Sequence, residues 1–189
     1  GKVRRAAVAE ALQTEAETIL FCDGDRVLHW VSRYPEELTA VLEQVKPFDF
    51  TVLGRTPRAF RSHSAAQVQT EGIVNRLFAQ LSGLPWDVTA AARAFSRKGA
   101  EAIVQASQDD SIGNDASWPL LLQRDFPDLR LGYVATEGLE FETPDRFAWS
   151  EWEKMQWLDG LDKSPAEWAE RLRLAQVEVT AMLPFVVKS

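Results

Sequence analysis

Apolar and polar residues follow two different patterns along the chain. Short apolar runs predict strands over residues 17–22, 48–54 and 129–136. Longer stretches, in which apolar residues recur every three or four positions, predict helices. These helices cover residues 2–14, 26–33, 35–45, 64–84, 115–126 and 164–183, and one more starts after Ser96 as N-cap. The segment "DVTAAARAF" between them reads as a short irregular or extended piece.

Strands that alternate with helices are typical of an α/β fold. The pattern predicts a three-layer α/β/α arrangement, with a mostly parallel sheet covered by helices on both faces. Ligands of such sheets bind beyond the carboxyl ends of the strands. The sequence Asp-Gly-Asp follows the first predicted strand, and Gly54-Arg55 follows the second, so both segments are candidates for a binding site.

The C-terminal part of the chain differs in composition. We expect an α/β domain over residues 1–146 and a Trp-rich helical extension over 147–189 that packs on it. The extension holds four tryptophans: Trp149, Trp152, Trp157 and Trp168. Alternatively, they form a surface that binds the acceptor or a second subunit. In the latter case the protein would be a homo-oligomer.

Charge and cysteine content narrow the classes of function. The 189 residues carry a formal net charge of -7, which disfavours binding to nucleic-acid backbones. The lone Cys22 excludes an internal disulfide and a cysteine-based zinc site, and it reads as a buried thiol. No apolar run approaches the ~18 residues of a membrane span, and no signal peptide is visible, so we expect a cytoplasmic location without a transmembrane segment.

The carboxylates of Asp23 and Asp25 follow the apolar run "ILFC" directly. Two adjacent carboxylates repel each other, and a bound cation stabilises both in the ionised form. Oxygen ligands suit Mg²⁺ or Mn²⁺, which often bridge protein carboxylates to phosphates. The competing interpretation is a turn in which Asp25 caps the helix "RVLHW".

Four segments together resemble the family 2 glycosyltransferases, and most closely the branch that looks like dolichyl-phosphate mannose synthases. They are "ILFCDGDR", "TVLGRT", "TEGIVNRLFAQLSGLPWDVTAAARAFSRKGAEAI" and "GNDASWPLLLQR" with the "LRLGYVATEGLEFE" that follows. The resemblance covers roughly residues 15–142. It implies the A-type nucleotide-diphospho-sugar transferase fold, with metal-dependent transfer of a hexosyl group from a nucleotide-sugar to an unknown acceptor.

The resemblance also implies roles for particular residues. Asp23 and Asp25 would contact the nucleotide-sugar and a Mg²⁺ or Mn²⁺ ion, with Asp25 as the main metal ligand. Arg55 would lie near the diphosphate, where a guanidinium can bind two phosphate oxygens. Asp87 and Arg93 would shape the sugar pocket.

Two further residues complete the implied site. Asp115 matches the acidic residue that removes the proton from the acceptor hydroxyl. Trp118 is a candidate platform for the substrate, although a tryptophan in an apolar helix is more often a core residue. Asp115 and Asp87 also have simpler interpretations, as a helix cap and a turn residue.

The chain departs from the family pattern at several points. The glycine expected after "D-x-T/S-s" is replaced by Ala91 or Ala92, whose Cβ would crowd a sugar. The acidic motif is "GNDASW" instead of a Glu-Asp pair, and the first strand of the family fold would precede residue 1. These departures favour the alternative of a non-catalytic nucleotide-sugar-binding or scaffold domain. A nucleotidyl transferase is a third possibility, but it would need a Gly-rich phosphate loop near the N-terminus.

Overall fold

A single four-stranded sheet forms the centre of the structure, a computed structural model that describes residues 2–143 and 150–186. Its strands are β1 (Thr18–Phe21), β2 (Phe50–Arg55), β3 (Ala92–Ser96) and β4 (Leu131–Thr136). Their spatial order is β1-β3-β2-β4. The protein is therefore an α/β protein, as the alternation of patterns predicted. The predicted domain boundary at residues 146/147 and Trp149 fall outside the described residues.

The expectation of a mostly parallel sheet is wrong, because the sheet is mixed. β3 lies antiparallel between β1 and β2, and only the pair of β2 and β4 is parallel. Thr51 of β2 pairs with Ala94 of β3 on one side and with Gly132 of β4 on the other. β3 comes from the segment read as irregular or extended, whose small alanines produce no clear apolar alternation.

The helices agree with most of the apolar periodicity. They are α1 (Lys2–Ala11), α2 (Gly24–Arg33), α3 (Pro35–Gln44), α4 (Pro57–Arg61), α5 (Ala65–Ser82), α6 (Arg97–Ala106), α7 (Asn114–Asp125), α8 (Glu151–Asp162) and α9 (Pro165–Met182). The predicted cap at Ser96 is confirmed, since its side chain accepts a hydrogen bond from Gly99 N at 3.2 Å. Gly83 ends α5 in the left-handed conformation (φ 75°). The short helix α4 carried no periodic signal.

Each face of the sheet carries its own apolar core. Alternate residues point to opposite faces, so Phe50 and Val52 join one cluster while Leu53 joins the other. Residues of α1, α5, α6, α7 and α9 pack in the first cluster. The second cluster is covered by α2 and α3 through Trp30, Val41 and Val45.

The C-terminal helices differ in how they attach. α9 packs against α5 and α7, and Met182 near its end is fully buried. None of the described residues of α8 is buried, and Trp152 is 61% exposed. Within the described residues, no helix is both long and apolar enough to cross a bilayer.

Candidate functional site

A cavity of about 290 Å³ lies between the start of α2, the inner faces of α5 and α9, and the start of α7. Asp23, which follows β1, lines it from one side, and Asp115 at the start of α7 lines it from another. Ala91, in the turn that leads into β3, forms a third part of the wall. Three segments separated widely along the chain thus meet at one place.

The two carboxylates of the Asp-Gly-Asp segment are placed differently. Asp23 is exposed at the N-cap position of α2, and its side chain makes no capping hydrogen bond within this described helix. Asp25 lies inside α2, and its Oδ1 accepts a hydrogen bond from Arg26 N at 2.9 Å. In the described part of the chain, no three His, Cys, Asp or Glu side chains form a group that could hold a metal ion. A protein-only metal cage therefore does not fit these residues.

Asp115 is held by two arginines that reach it from different elements. Arg4 of α1 donates a hydrogen bond to Oδ1 at 2.7 Å. Arg93 of β3 donates to the backbone carbonyl of Asp115 at 2.7 Å and contacts Oδ1 at 3.4 Å. Both arginines bind the same carboxylate oxygen, and no described residue hydrogen-bonds to Oδ2. The fixed carboxylate therefore presents one oxygen that could take up a proton.

The buried Arg93 positions the turn before β3. Its guanidinium donates to the carbonyl oxygens of Ala92 and Val88 at 2.6 and 2.5 Å. Complete burial lowers the pKa of Arg93, and the nearby Asp115 acts in the opposite direction. Arg93 thus ties Asp115 to the segment that carries Ala91 without lining the cavity itself.

Ala91 has a backbone conformation that favours glycine. Its φ of 57° and ψ of 23° lie in the left-handed region. Among the described residues it is the only non-glycine with a positive φ. A Cβ in this region approaches the following carbonyl oxygen and costs roughly 1–2 kcal/mol. Of the two alanines considered for the missing family glycine, Ala91 has the conformation that glycine would relieve.

Arg55 and Asp87 form a buried ion pair behind the cavity. Nε and Nη2 of Arg55 donate to the two carboxylate oxygens of Asp87 at 2.8 and 2.9 Å. The Arg55 side chain is 0% exposed, and it stacks on Phe60 at 4.6 Å from the ring centroid. In this placement, the bidentate geometry predicted for a diphosphate is used for Asp87 instead.

Neighbouring polar groups saturate this ion pair. Arg55 Nη2 also contacts Glu71 Oε2 at 2.6 Å and Thr89 Oγ1 at 2.8 Å. Asn75 Nδ2 donates to Asp87 Oδ1 at 2.8 Å. Burial alone would raise the pKa of Asp87, but Arg55 holds it well below its ordinary value. Glu71 and Thr89 line the cavity as well, so Arg55 contacts the cavity wall through these two residues.

Trp118 is a core residue in this structure. Its side chain lies edge-on to Phe95, with ring centroids 6.0 Å apart, and its Nε1 donates to Ser107 Oγ at 2.9 Å. Only 2% of its surface is exposed, and it does not line the cavity. The placement agrees with the core interpretation of this residue.

Residues that the sequence analysis did not single out complete the cavity wall. The main ones are Gln67 and Glu71 on α5 and Glu178 on α9. Glu178 lies four residues from both Leu174 and Met182, so it falls on the apolar face of an amphipathic helix. A charged residue on the apolar face of a helix is the feature of the sequence from which Glu178 could have been identified. Gly113 allows α9 to come close to the start of α7, because a Cβ there would collide with Ala181.

Glu178 has an unusual electrostatic environment. It is 8% exposed, and no arginine, lysine or histidine among the described residues forms an ion pair with it. Burial, followed by the negative charges of Asp115 and Glu71, raises the pKa of Glu178 to about 9. The cavity therefore contains two carboxyl groups with different surroundings: Asp115 is paired with arginines, whereas Glu178 is neutral at pH 7.

Comparison with protein-family models, with curated proteins and with solved structures gives no match.

Proposed function

We propose that this cavity binds a nucleotide-sugar and that the protein transfers its glycosyl group to a hydroxyl-bearing acceptor. One observation carries the proposal: Asp23, Ala91 and Asp115, which the sequence resemblance ties to three separate parts of such a site, line the same cavity. The proposed fold is that of the nucleotide-diphospho-sugar transferases, with β1 to β4 as part of its sheet.

Asp115 is the proposed base. Its Oδ2 removes the proton from the acceptor hydroxyl while the acceptor oxygen attacks the anomeric carbon. The bond from the anomeric carbon to the diphosphate breaks, and the nucleoside diphosphate leaves. Arg4 and Arg93 fix the position of the carboxylate through Oδ1.

Arg26 and Asp23 are the proposed contacts of the diphosphate end. Arg26 lines the cavity, and its Nη1 donates to the carbonyl of Ala90 at 3.0 Å. A guanidinium held at one nitrogen still has donors for phosphate oxygens. Asp23 would hold a Mg²⁺ or Mn²⁺ ion together with the phosphate oxygens, since such ions use few protein carboxylates when a phosphate is present. When bound, the ion would neutralise charge on the leaving diphosphate.

A non-catalytic binding domain is the second candidate function. The observation in its favour is Ala91, which lines the cavity and has a left-handed backbone conformation where the family pattern has glycine. A chain that binds the donor without turnover would keep Asp23 and Arg26 in use. It would have no use for Asp115 as a base.

The proposal is tested by ligand-dependent stability and product release. We expect one nucleoside diphosphate to raise the melting temperature in the presence of Mn²⁺ but not of EDTA, because ligand that binds the folded state stabilises it. The corresponding nucleotide-sugars should then release nucleoside diphosphate slowly, with water as acceptor. Asp115→Asn should keep the stabilisation and lose the release.

A matched control separates the site from general charge effects. Asp128→Asn makes the same change at an exposed residue before β4, at the opposite end of the sheet, and should behave as wild type. Stabilisation without release in the wild type would favour the non-catalytic candidate. No stabilisation by any nucleotide, or release that persists in Asp115→Asn, would contradict the proposed transfer.

A further inference from the structure

Two buried polar atoms without partners belong to residues that line the cavity from neighbouring helices. They are Oε1 of Gln67 on α5 and Oε2 of Glu178 on α9, and neither has a hydrogen-bond partner among the described residues. The residues are only 4% and 8% exposed. Both line the cavity. We call this pair the α5–α9 seam.

Such atoms indicate a missing partner. Buried polar groups in proteins are nearly always hydrogen-bonded, because an unpaired one loses its contact with water. The two unpaired atoms belong to neighbouring helices that pack closely on each other. The part of the cavity between Gln67 and Glu178 is therefore suited to a ligand that forms hydrogen bonds with both.

The orientation of the Gln67 amide defines what it needs. Its Nε2 donates to Glu71 Oε1 at 2.8 Å, and a carboxylate oxygen can only accept. The amide nitrogen must therefore point towards Glu71, which leaves Oε1 as a buried acceptor without a partner among the described residues. A ligand at this position has to supply a donor.

Glu178 offers the complementary group. Its neighbours on other elements are Asp115 of α7, Glu71 of α5, Arg93 of β3 and Arg4 of α1. Arg171 on its own helix and Asp23 and Arg26 of the α2 segment also line the cavity. Burial and the two carboxylates outweigh the arginines and raise the pKa of Glu178 to about 9. A protonated carboxyl group donates one hydrogen bond and accepts others.

We propose that the α5–α9 seam binds an uncharged, hydroxyl-bearing group such as a hexose ring, which donates to Gln67 Oε1 and accepts from the Glu178 carboxyl. Leu174 and Ala175, between Arg171 and Glu178 on α9, line the cavity as well and offer apolar contact for ring C–H groups. An anionic group at the seam itself would lie close to the Asp115 and Glu71 carboxylates, whose charges act on Glu178, whereas the proposed diphosphate end lies at Arg26. The assignment of this ring to a nucleotide-sugar or to its acceptor rests on the proposed function. The hydrogen-bonding requirement of the seam does not depend on it.

Free sugars test the seam without any nucleotide. D-Glucose, D-mannose and glycerol are titrated into the isotope-labelled protein at neutral pH, and the Gln67 side-chain amide and the Glu178 carboxyl carbon are followed by NMR. We expect at least one of the hexoses to shift both signals. Glu178→Gln, which keeps a neutral donor and acceptor, should bind similarly, whereas Glu178→Leu and Gln67→Leu should bind roughly fivefold or more weakly.

The dependence on pH gives a readout that a purely structural role would not produce. Binding to wild type should weaken as pH rises through about 9 and Glu178 ionises, whereas Glu178→Gln should show no such step. The pH dependence is measured on wild type and a conservative variant, so this test remains decisive if the leucine variants fail to fold.

Several outcomes would overturn the seam: no probe shifts the Gln67 amide, the leucine and glutamine variants bind equally well, or the Glu178 carboxyl titrates near 4.5. A signal from glycerol and both hexoses alike would indicate a general hydroxyl or water site and would also count against a hexose subsite. Failure of every nucleotide to bind would contradict the proposed transferase, while hexose binding would still support the seam.

Discussion

The Arg55–Asp87 pair and the cavity are both polar and mostly buried, yet they are built in opposite ways. The Arg55–Asp87 pair is saturated, since Asn75 and Thr89 contact the Asp87 carboxylate and Glu71 contacts the guanidinium. In the cavity, the described structure leaves Gln67 Oε1 and Glu178 Oε2 without partners, and Ala91 adopts a strained left-handed conformation.

We take this difference to support the proposed binding role of the cavity and a structural role for the Arg55–Asp87 pair. A polar network in which every charge is paired rigidifies the fold and specifies a unique core. Unpaired buried atoms and backbone strain cost free energy, and proteins tend to retain them where a ligand binds. The contrast favours the cavity as the binding site and gives Arg55 and Asp87 the task of holding its back wall through Glu71 and Thr89.

The largest expected effect comes from breaking the saturated pair. Asp87→Ala leaves the fully buried Arg55 without its main partner and should lower the free energy of unfolding by about 3–5 kcal/mol. Chemical denaturation measures this loss. Because Asp87 has a depressed pKa in the folded state, its stabilisation is present above about pH 4 and should be lost as pH falls further. A loss below about 1 kcal/mol at pH 7 would contradict the structural role.

Glu178→Gln should act in the opposite direction. Wild type must keep Glu178 protonated to fold, which costs about 3 kcal/mol at pH 7 when the pKa rises from 4.5 to about 9. The glutamine variant should therefore gain up to that amount at pH 7 and nothing below about pH 4. Equilibrium unfolding from pH 4 to 9 measures it. Glu170→Gln, on the exposed side of the same helix, should keep the pH dependence of wild type. If the free energy of unfolding depends on pH in the same way in wild type and both variants, Glu178 is not protonated at neutral pH and the prediction is refuted.

Ala91→Gly tests the strain at the cavity wall. Relief of the left-handed conformation, less the flexibility that glycine adds to the unfolded chain, should stabilise the protein by about 0.5–1 kcal/mol. Ala90→Gly is the matched control, because Ala90 is buried in the 3-10 turn Val88–Ala90 before Ala91, and this substitution should destabilise the protein by about 1 kcal/mol. If both substitutions destabilise to the same extent, Ala91 is not strained.

Arg58→Ala should have the smallest effect. Arg58 forms ion pairs with Glu137 and Glu140, but its side chain is 53% exposed. Exposed pairs contribute about 0–1 kcal/mol and are weakened by salt. Denaturation at low and high ionic strength should show a small loss that disappears at high salt. A loss comparable with that of Asp87→Ala would mean that burial does not distinguish the two arginines.

The sequence predicted local structure better than long-range arrangement. β1, β2, β4 and most helices follow apolar periodicity, and the caps at Ser96 and Gly83 follow from residue type. The direction of β3 could not be predicted, because the small side chains of Ala92 and Ala94 carry little pattern and strand pairing depends on distant partners.

The site was predictable only in part for the same reason. Asp23 stands out as an acidic residue directly after an apolar run, Asp115 was implied by the family resemblance, and both line the cavity. The pairing of Arg55 with Asp87 joins residues 32 positions apart, which no local pattern encodes. Glu178 could have been found as a charge on an apolar helix face, but its protonation depends on the carboxylates that the fold brings to it.

Chemical-shift mapping of a nucleotide-sugar titration, in the presence of diamagnetic Mg²⁺, tests the central contrast most directly. We predict that the amides of Asp23, Ala91 and Asp115 and the side chain of Gln67 shift on binding, while the Arg55 guanidinium signals stay in place. Shifts concentrated at Arg55 and Asp87, with the cavity residues unchanged, would contradict the assignment of the cavity as the site and of the saturated pair as its support.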